Sequence, residues 1–552
     1  MEKILLNKPG KKIILLGNEA IVRGALEAGV DFVSTYPGTP ASEIGDTFYK
    51  VKSQKSKVKN TFYFEYSVNE KVALEAGIGA SFSGLKTLIA MKHFGLNVSL
   101  EALGPFVHTG TKGATVIVGA DDPSCHSSAQ WEENTRAISY LTHIPTLEPS
   151  DPQECKDFVK LGFQISEKFK IPVMIRTTTR VAHQRAPVVL GKIQGSKLKV
   201  QGKFIKDPKK FITMPPRVLE MKKELFEKIE KIKEFSEKSK INKLLRPATK
   251  KQIGIITSGI SYLYVMEALQ ELNLKLPVLK LGFFYPLPEK KIQNFIRGLK
   301  KVLVVEELEP YLEKEVERLA KNVNPKIEIL GKNLIAKVGE LKPKEVILSI
   351  AKMTNSKFEV QDSKLKVPRF KIPKRFPQLC PGCPYWLVFG AIKKAVDPKK
   401  VVFGGDIGCY MLAGLPPHFL QDYLSCMGSS IGIAHGIKKA TGQKLIAFLG
   451  DSTFFHAGIP ALINTVFNKS NPLIIIMNNQ TTAMTGHQPH PGAPAKPDGL
   501  KIENVIKGLG IKNVKVIDPI NQKEFVKTVK EFLKKKEVSV IIAQRPCIWI
   551  KK

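Results

Sequence analysis

Two short apolar runs in this chain end abruptly in polar dyads. Leu445–Gly450 is followed by Asp451 and Ser452, and Leu473–Met477 by Asn478 and Asn479. A buried parallel strand looks like this where its carboxyl end opens into a ligand crevice. At neighbouring strand ends, the Asp451 carboxylate and the Asn479 amide would offer hard oxygen ligands that suit Mg²⁺ and, through it, a diphosphate. Upstream, Gly404, Gly405, Asp406, Ile407 and Gly408 make a turn after the apolar Val401–Phe403. Such a turn could present backbone N–H groups to phosphate oxygens, although most tight turns share its Gly pair.

Thiols and an acid carry the other candidate chemistry. The seven cysteines are Cys125, Cys155, Cys380, Cys383, Cys409, Cys426 and Cys547. Sparse and odd in number, they suit reduced thiols or metal ligands better than disulfides. Cys380 and Cys383 form a C-x-x-C pair, which alone reads equally as a zinc half-site or a redox pair. With Cys409 after the Gly turn and Cys547 near the end of the chain, they make a set of thiolates able to ligate a [4Fe–4S] cluster. Cys426 reads as a turn residue, and Cys125 and Cys155 as structural. Glu70 has two readings. Ser67-x-x-Glu70 fits a capping box opening an Ala/Gly-rich helix over 71–83; a carboxyl group here could also move a proton in catalysis. His93, His126, His183, His456, His487 and His490 lie near these motifs. Each reads first as a satisfied loop or core histidine, with His93 and His487 the foremost candidates for proton transfer.

The elements that must position these groups alternate between strand and helix. Strands are expected at Lys12–Leu16, Phe32–Thr35, Thr115–Val118 and Pro172–Arg176, with a helix at Glu19–Ala28, giving a parallel α/β layout over 1–185. Residues 186–250 turn Lys- and Glu-rich, and Leu225, Ile229, Ile232 and Phe235 keep helical spacing, which predicts a connecting segment with an amphipathic helix. Ile255–Thr257, Val278–Lys280 and Val302–Val305 punctuate a smaller α/β domain over 251–356. Residues 357–378 are basic and poorly periodic, as in a linker. Residues 379–552 return to alternating strands and helices.

Composition narrows the function classes. The 552 residues include 43% hydrophobic and 25% charged side chains, as in a globular chain. No run approaches the ~18–20 apolar residues of a membrane span. The N-terminus lacks an apolar core followed by a small-residue cleavage site, so a cytoplasmic protein is expected. The net charge of +36 comes without an aromatic-interleaved basic motif, which speaks against nucleic acid. A basic surface can steer acidic protein partners; a Lys-rich proteome explains it equally well.

Gly450-Asp451-Ser452 followed by Asn478-Asn479 resembles the thiamine-diphosphate signature, with Ser452 where that signature has Gly. Tyr36–Glu43, Ser67–Ala73, Met91–Asn97, Ala120–Pro123, Arg176–Arg180 and Cys380–Cys383 follow in order. Together they resemble the 2-oxoacid:ferredoxin oxidoreductases, in the indolepyruvate alpha-subunit branch, over essentially the whole chain. The resemblance implies a multi-domain α/β fold. Residues 1–185 would form a pyrimidine-binding-type domain, 251–356 a transketolase-C-like domain, and 379–552 the diphosphate-binding domain. It implies Mg²⁺ held by Asp451, Asn479 and the Thr481 carbonyl, and cofactor contacts from Gly405, Asp406, Gly408, Gly450 and Ser452. Glu70 would activate the pyrimidine ring, Thr39 would contact substrate, and the 478–488 loop would close over the cofactor. Cys380, Cys383, Cys409 and Cys547 are similar in order to the proximal-cluster ligands of pyruvate:ferredoxin oxidoreductases. The implied activity is oxidative decarboxylation of aryl 2-oxoacids to acyl-coenzyme A, with electrons leaving through Fe–S to ferredoxin and a smaller gamma-type partner subunit. A non-oxidative thiamine-diphosphate decarboxylase or ligase is the alternative. The family's tail of two C-x₂-C-x₂-C-x₃-C-P runs is missing from the sequence, so further clusters are expected on a separate polypeptide, or electrons leave from the proximal cluster directly.

Overall fold

The structure, a computed structural model, describes residues 2–53, 61–194, 202–245, 247, 252–356, 377–493 and 499–550. It divides into two compact units, Met1–Leu365 and Lys366–Lys552. The expected linker over 357–378 lies almost entirely outside the described residues.

The first unit is built on a seven-stranded sheet in the order Phe283–Tyr285, Thr146–Leu147, Val173–Thr178, Thr115–Asp121, Thr87–Lys92, Phe32–Thr35, Tyr63–Tyr66. All neighbours are parallel except the pair formed by Phe283–Tyr285. Thr115–Asp121 and Val173–Thr178 are buried along their whole length, the condition that selects continuous β-branched runs with helices on both faces. Lys12–Leu16 does not open this series. It pairs antiparallel with Arg185–Val189 in a separate two-stranded ribbon. Its side chains alternate, Ile13 and Leu15 inward and Ile14 65% exposed, so it has only one face to bury.

A second sheet in the same unit runs Glu328–Leu330, Lys301–Val305, Ile253–Ser258, Val278–Leu281, Lys243–Leu245, parallel except for the last pair. Helix Arg217–Lys238 buries Met221, Leu225, Ile229 and Ile232, a stripe at the helical repeat. Buried charges tie the two sheets together. Arg136 donates to both Glu148 oxygens at 2.7 Å, to Ser258 Oγ at 2.6 Å, and to Glu306. Arg176 reaches Glu148 Oε1 at 3.0 Å and Asp121 Oδ2 at 2.8 Å. Burial alone would raise the Glu148 carboxyl, but Arg136 and Arg176 outweigh it and hold it down at about 2.

The second unit carries a five-stranded, wholly parallel sheet in the order Val402–Gly404, Leu445–Gly450, Leu473–Asn478, Ser539–Gln544, Asn513–Ile517. Leu445–Gly450 and Leu473–Asn478 are buried at every residue. Among the described residues no helix is long and apolar enough to cross a membrane.

Removing Arg136 takes the guanidinium from buried Glu306 and leaves Glu148 with Arg176 as its one cationic partner among the described residues. Arg136→Met should therefore cost about 3–5 kcal/mol, read as a lower unfolding midpoint. The Glu148 contribution is present above its ordinary value of 4.5 and lost as pH falls toward 2, so the gap between wild type and variant should narrow in acid.

Candidate active site

In the second unit, strand register sets the geometry. Gly450 lies opposite Met477, so Asp451 leaves its strand beside Asn478 and Asn479. Asp451 is 3% exposed, and Asn479 and Thr481 are each 6% exposed. Asp451 Oδ1 accepts from Ser452 N at 2.8 Å and Oδ2 from Gln480 N at 2.7 Å. These bonds fix the carboxylate while leaving oxygen lone pairs for a cation. Asn479 Oδ1 accepts from Thr481 N at 3.3 Å. The loop that follows closes on itself: Thr482 N donates to Gln488 O at 3.0 Å, and Thr485 Oγ1 to Gln488 Oε1 at 2.6 Å. His487 lies on this loop, exposed, with a left-handed φ of 64°.

Two N–H groups of the Gly404–Gly408 turn are engaged within the protein. Gly405 N donates to Tyr423 O at 2.8 Å, and Ile407 N to Asp406 Oδ1 at 2.7 Å. Asp406 is fully buried and also accepts from Gly428 N at 2.9 Å and Ser430 N at 3.0 Å, bracing the start of helix Ser429–Thr441. Burial pushes its carboxyl up to about 6, with those N–H groups pulling the other way.

Cys380, Cys383, Cys409 and Cys547 all line one cavity of about 430 Å³, with Tyr385, Leu412, Asn479 and His487 also on its wall. Cys547 N donates to Asn479 O at 3.0 Å, so the thiol cavity and the Asp451–Asn479 strand ends share a residue. Burial, then the neighbouring cysteines, push Cys383 up to about 11 and Cys409 up to about 12. Those thiols stay neutral unless a cationic group draws the proton off. Among the described residues no three His, Cys, Asp or Glu side chains converge as a ready cage for a single ion. Cys426 is exposed, Cys125 half-buried and Cys155 buried.

In the first unit, Glu70 is the first residue of helix Glu70–Phe82 and is 6% exposed. The cap is Asn69, whose side chain accepts from Val72 N at 2.8 Å, and not Ser67, whose hydroxyl donates to Glu65 at 2.7 Å. Helix His93–Thr109 crosses Glu70 at Gly95, where a Cβ would stand 2.4 Å from Glu70 Cγ. Only a glycine allows that approach. Thr39, half-buried, follows strand Phe32–Thr35. His93 is fully buried, with Nδ1 3.1 Å from Ala120 O, and burial lowers its pKa. Lys92, singled out by no spacing rule, ends strand Thr87–Lys92. Burial lowers its ammonium to about 8, while Asp122, Cys125 and Glu70 oppose the shift.

Comparison with known proteins follows this division. Residues 23–240 match the family described as pyruvate flavodoxin/ferredoxin oxidoreductase, thiamine diphosphate-binding. Residues 243–357 match the indolepyruvate oxidoreductase domain, and 406–543 the thiamine pyrophosphate enzyme C-terminal TPP binding domain. The indolepyruvate oxidoreductase subunit IorA of Pyrococcus horikoshii is 43% identical over 570 residues, spanning 99% of this chain and 87% of that protein. Its namesake in Methanothermobacter thermautotrophicus is 41% identical over 560 residues, 99% of this chain and 89% of that one. That of Archaeoglobus fulgidus is 40% identical over 559 residues, 99% and 88%. The chain belongs to the indolepyruvate oxidoreductase IorA family, and is thus an enzyme subunit of the thiamine-diphosphate-dependent 2-oxoacid oxidoreductases.

Proposed function

We propose that this chain oxidatively decarboxylates aryl 2-oxoacids of the indolepyruvate class to acyl-coenzyme A, using thiamine diphosphate, Mg²⁺ and a [4Fe–4S] cluster. Electrons pass to ferredoxin, and a smaller gamma-type subunit completes the enzyme. The observation that carries the reading is the junction at Asn479. Its strand end adjoins Asp451, and its carbonyl is bonded to Cys547 beside three further cysteines around one cavity.

The residues fit the groups invoked. A carboxylate, an amide and a carbonyl, from Asp451, Asn479 and Thr481, are the hard oxygen donors that Mg²⁺ selects. A cluster spreads its thiolates around the corners of a cube, so four cysteines bordering a cavity suit it where a single-ion cage would not. When bound, thiamine diphosphate supplies a nucleophilic carbon and an electron sink. Gly450 and Ser452 flank Asp451 at the strand end, and Asp406 ties the turn that carries Gly405 and Gly408 to Gly428 and Ser430. Glu70 is the carboxyl group that would hydrogen-bond the pyrimidine ring and favour its reactive form, and Gly95 leaves it room. Thr39 contributes a hydroxyl to the substrate. Of the two candidate histidines, exposed His487 can exchange protons with solvent, whereas buried His93 cannot. The seven unpaired cysteines suit the reducing cytoplasm.

Two experiments bear on this reading. Glu70→Gln keeps the shape and removes the acid, so kcat should fall about 10²–10⁴-fold while thiamine diphosphate still binds by calorimetry. Gly95→Ala should cost about 10²-fold by displacing that side chain. Wild-type turnover by Glu70→Gln would remove the acid from the account. Separately, protein purified anaerobically with its partner subunit should be brown and hold about four irons per chain, and Cys383→Ser should lose them. A colourless, iron-free protein fully loaded with thiamine diphosphate would leave only the non-oxidative reaction.

A further inference from the structure

His490 lies just beyond the loop that follows Asn479, and its side chain is 3% exposed. Nε2 stands 3.1 Å from Asp451 Oδ2, whose side chain is 4% exposed. Gly492 N donates to the other ring nitrogen, Nδ1, at 3.2 Å. That bond makes Nδ1 the acceptor and leaves Nε2 as the nitrogen that carries the N–H. The contact with Asp451 is off the N–H direction, and Nε2 has no aligned hydrogen-bond partner among the described residues. A satisfied core histidine would have one; a surface histidine would have water.

The ring is also held in place by packing. Phe455 lies beside it with ring centroids 6.1 Å apart. A Cβ on Gly492 would come within 2.6 Å of Phe455 Cε2, so the backbone that sets Nδ1 sits directly on that ring. A buried N–H group beside the candidate cation ligand but not directed at it, with its orientation fixed from behind, is a donor awaiting an acceptor.

We propose that His490 is a cofactor-binding residue whose Nε2–H donates to an oxygen of the diphosphate held at Asp451. The proposal rests on the assignment of Asp451 to the Mg²⁺–diphosphate site. It adds a directional N–H donor to a site otherwise described by its oxygen ligands. The cation would neutralise the diphosphate there, and His490 would hold one of its oxygens by a directional N–H bond.

The test is calorimetric titration of thiamine diphosphate, in Mg²⁺, into the assembled enzyme carrying His490→Ala, His490→Gln or Asp451→Ala. Mn²⁺ binding without diphosphate is measured in parallel, and unfolding midpoints verify that each variant is folded. His490→Ala should weaken thiamine diphosphate about ten- to hundredfold, the range expected for one hydrogen bond to a charged group. His490→Gln, which keeps an N–H donor, should recover part of the loss, and Mn²⁺ affinity should not move in either. Unchanged thiamine diphosphate affinity in His490→Ala overturns the proposal. So does a loss matched by an equal loss of Mn²⁺ affinity, which would make His490 a brace for Asp451. Full affinity in Asp451→Ala would instead overturn the assignment of the site itself.

Discussion

Neighbouring strands of a buried parallel sheet cannot slide past one another. A slip of one residue would turn every inward side chain to the opposite face. The pairing of Leu445–Gly450 with Leu473–Asn478 is of this kind, apolar on both faces and covered by helices. Its consequence is that Asp451 and Asn479 emerge level with each other whatever the loops beyond them do. The loop bonds from Ser452 and Gln480 then only orient a carboxylate whose place is already set. Precision at the candidate site is thus a property of the core, and the loop chemistry is built upon it.

The strands that carry the site were legible because each is a continuous apolar run stopped by a polar pair. Helix Arg217–Lys238 was legible from its spaced Leu and Ile residues. Other elements left no such mark. Phe283–Tyr285 is too short to declare which sheet it joins, and it extends the sheet begun far upstream. Lys12–Leu16 reads like any other short strand, and only its single buried face separates it from the main sheet. At the site, the cysteines and the strand-end dyads could be named from the sequence, but their common border at Asn479 could not, because it depends on the exit path of Ser539–Gln544. Asp406 could be named with the glycines of its turn, but not the bonds it accepts from Gly428 and Ser430, which lie more than twenty residues downstream. Gly95 and His490 carried no spacing signal, since their roles come from what each meets in space.

The first unit solves a different problem. Its two sheets meet where strands end in charge, with Asp121, Glu148 and Glu306 around Arg136 and Arg176. Such a junction adds little net stability over an apolar one, but it penalises every misfit severely. Lys92 ends a strand of the larger of these sheets, close enough to Glu70 for that carboxylate to oppose the lowering of its ammonium pKa.

The hydrogen bond from Cys547 N to Asn479 O makes the short stretch between Gln544 and Cys547 a spacer shared by two chemistries. A residue inserted or deleted there would carry the thiol away from an amide whose place the core has already set, and the bond between them would be lost. Sequence drift along this stretch should therefore favour changes of side chain over changes of length.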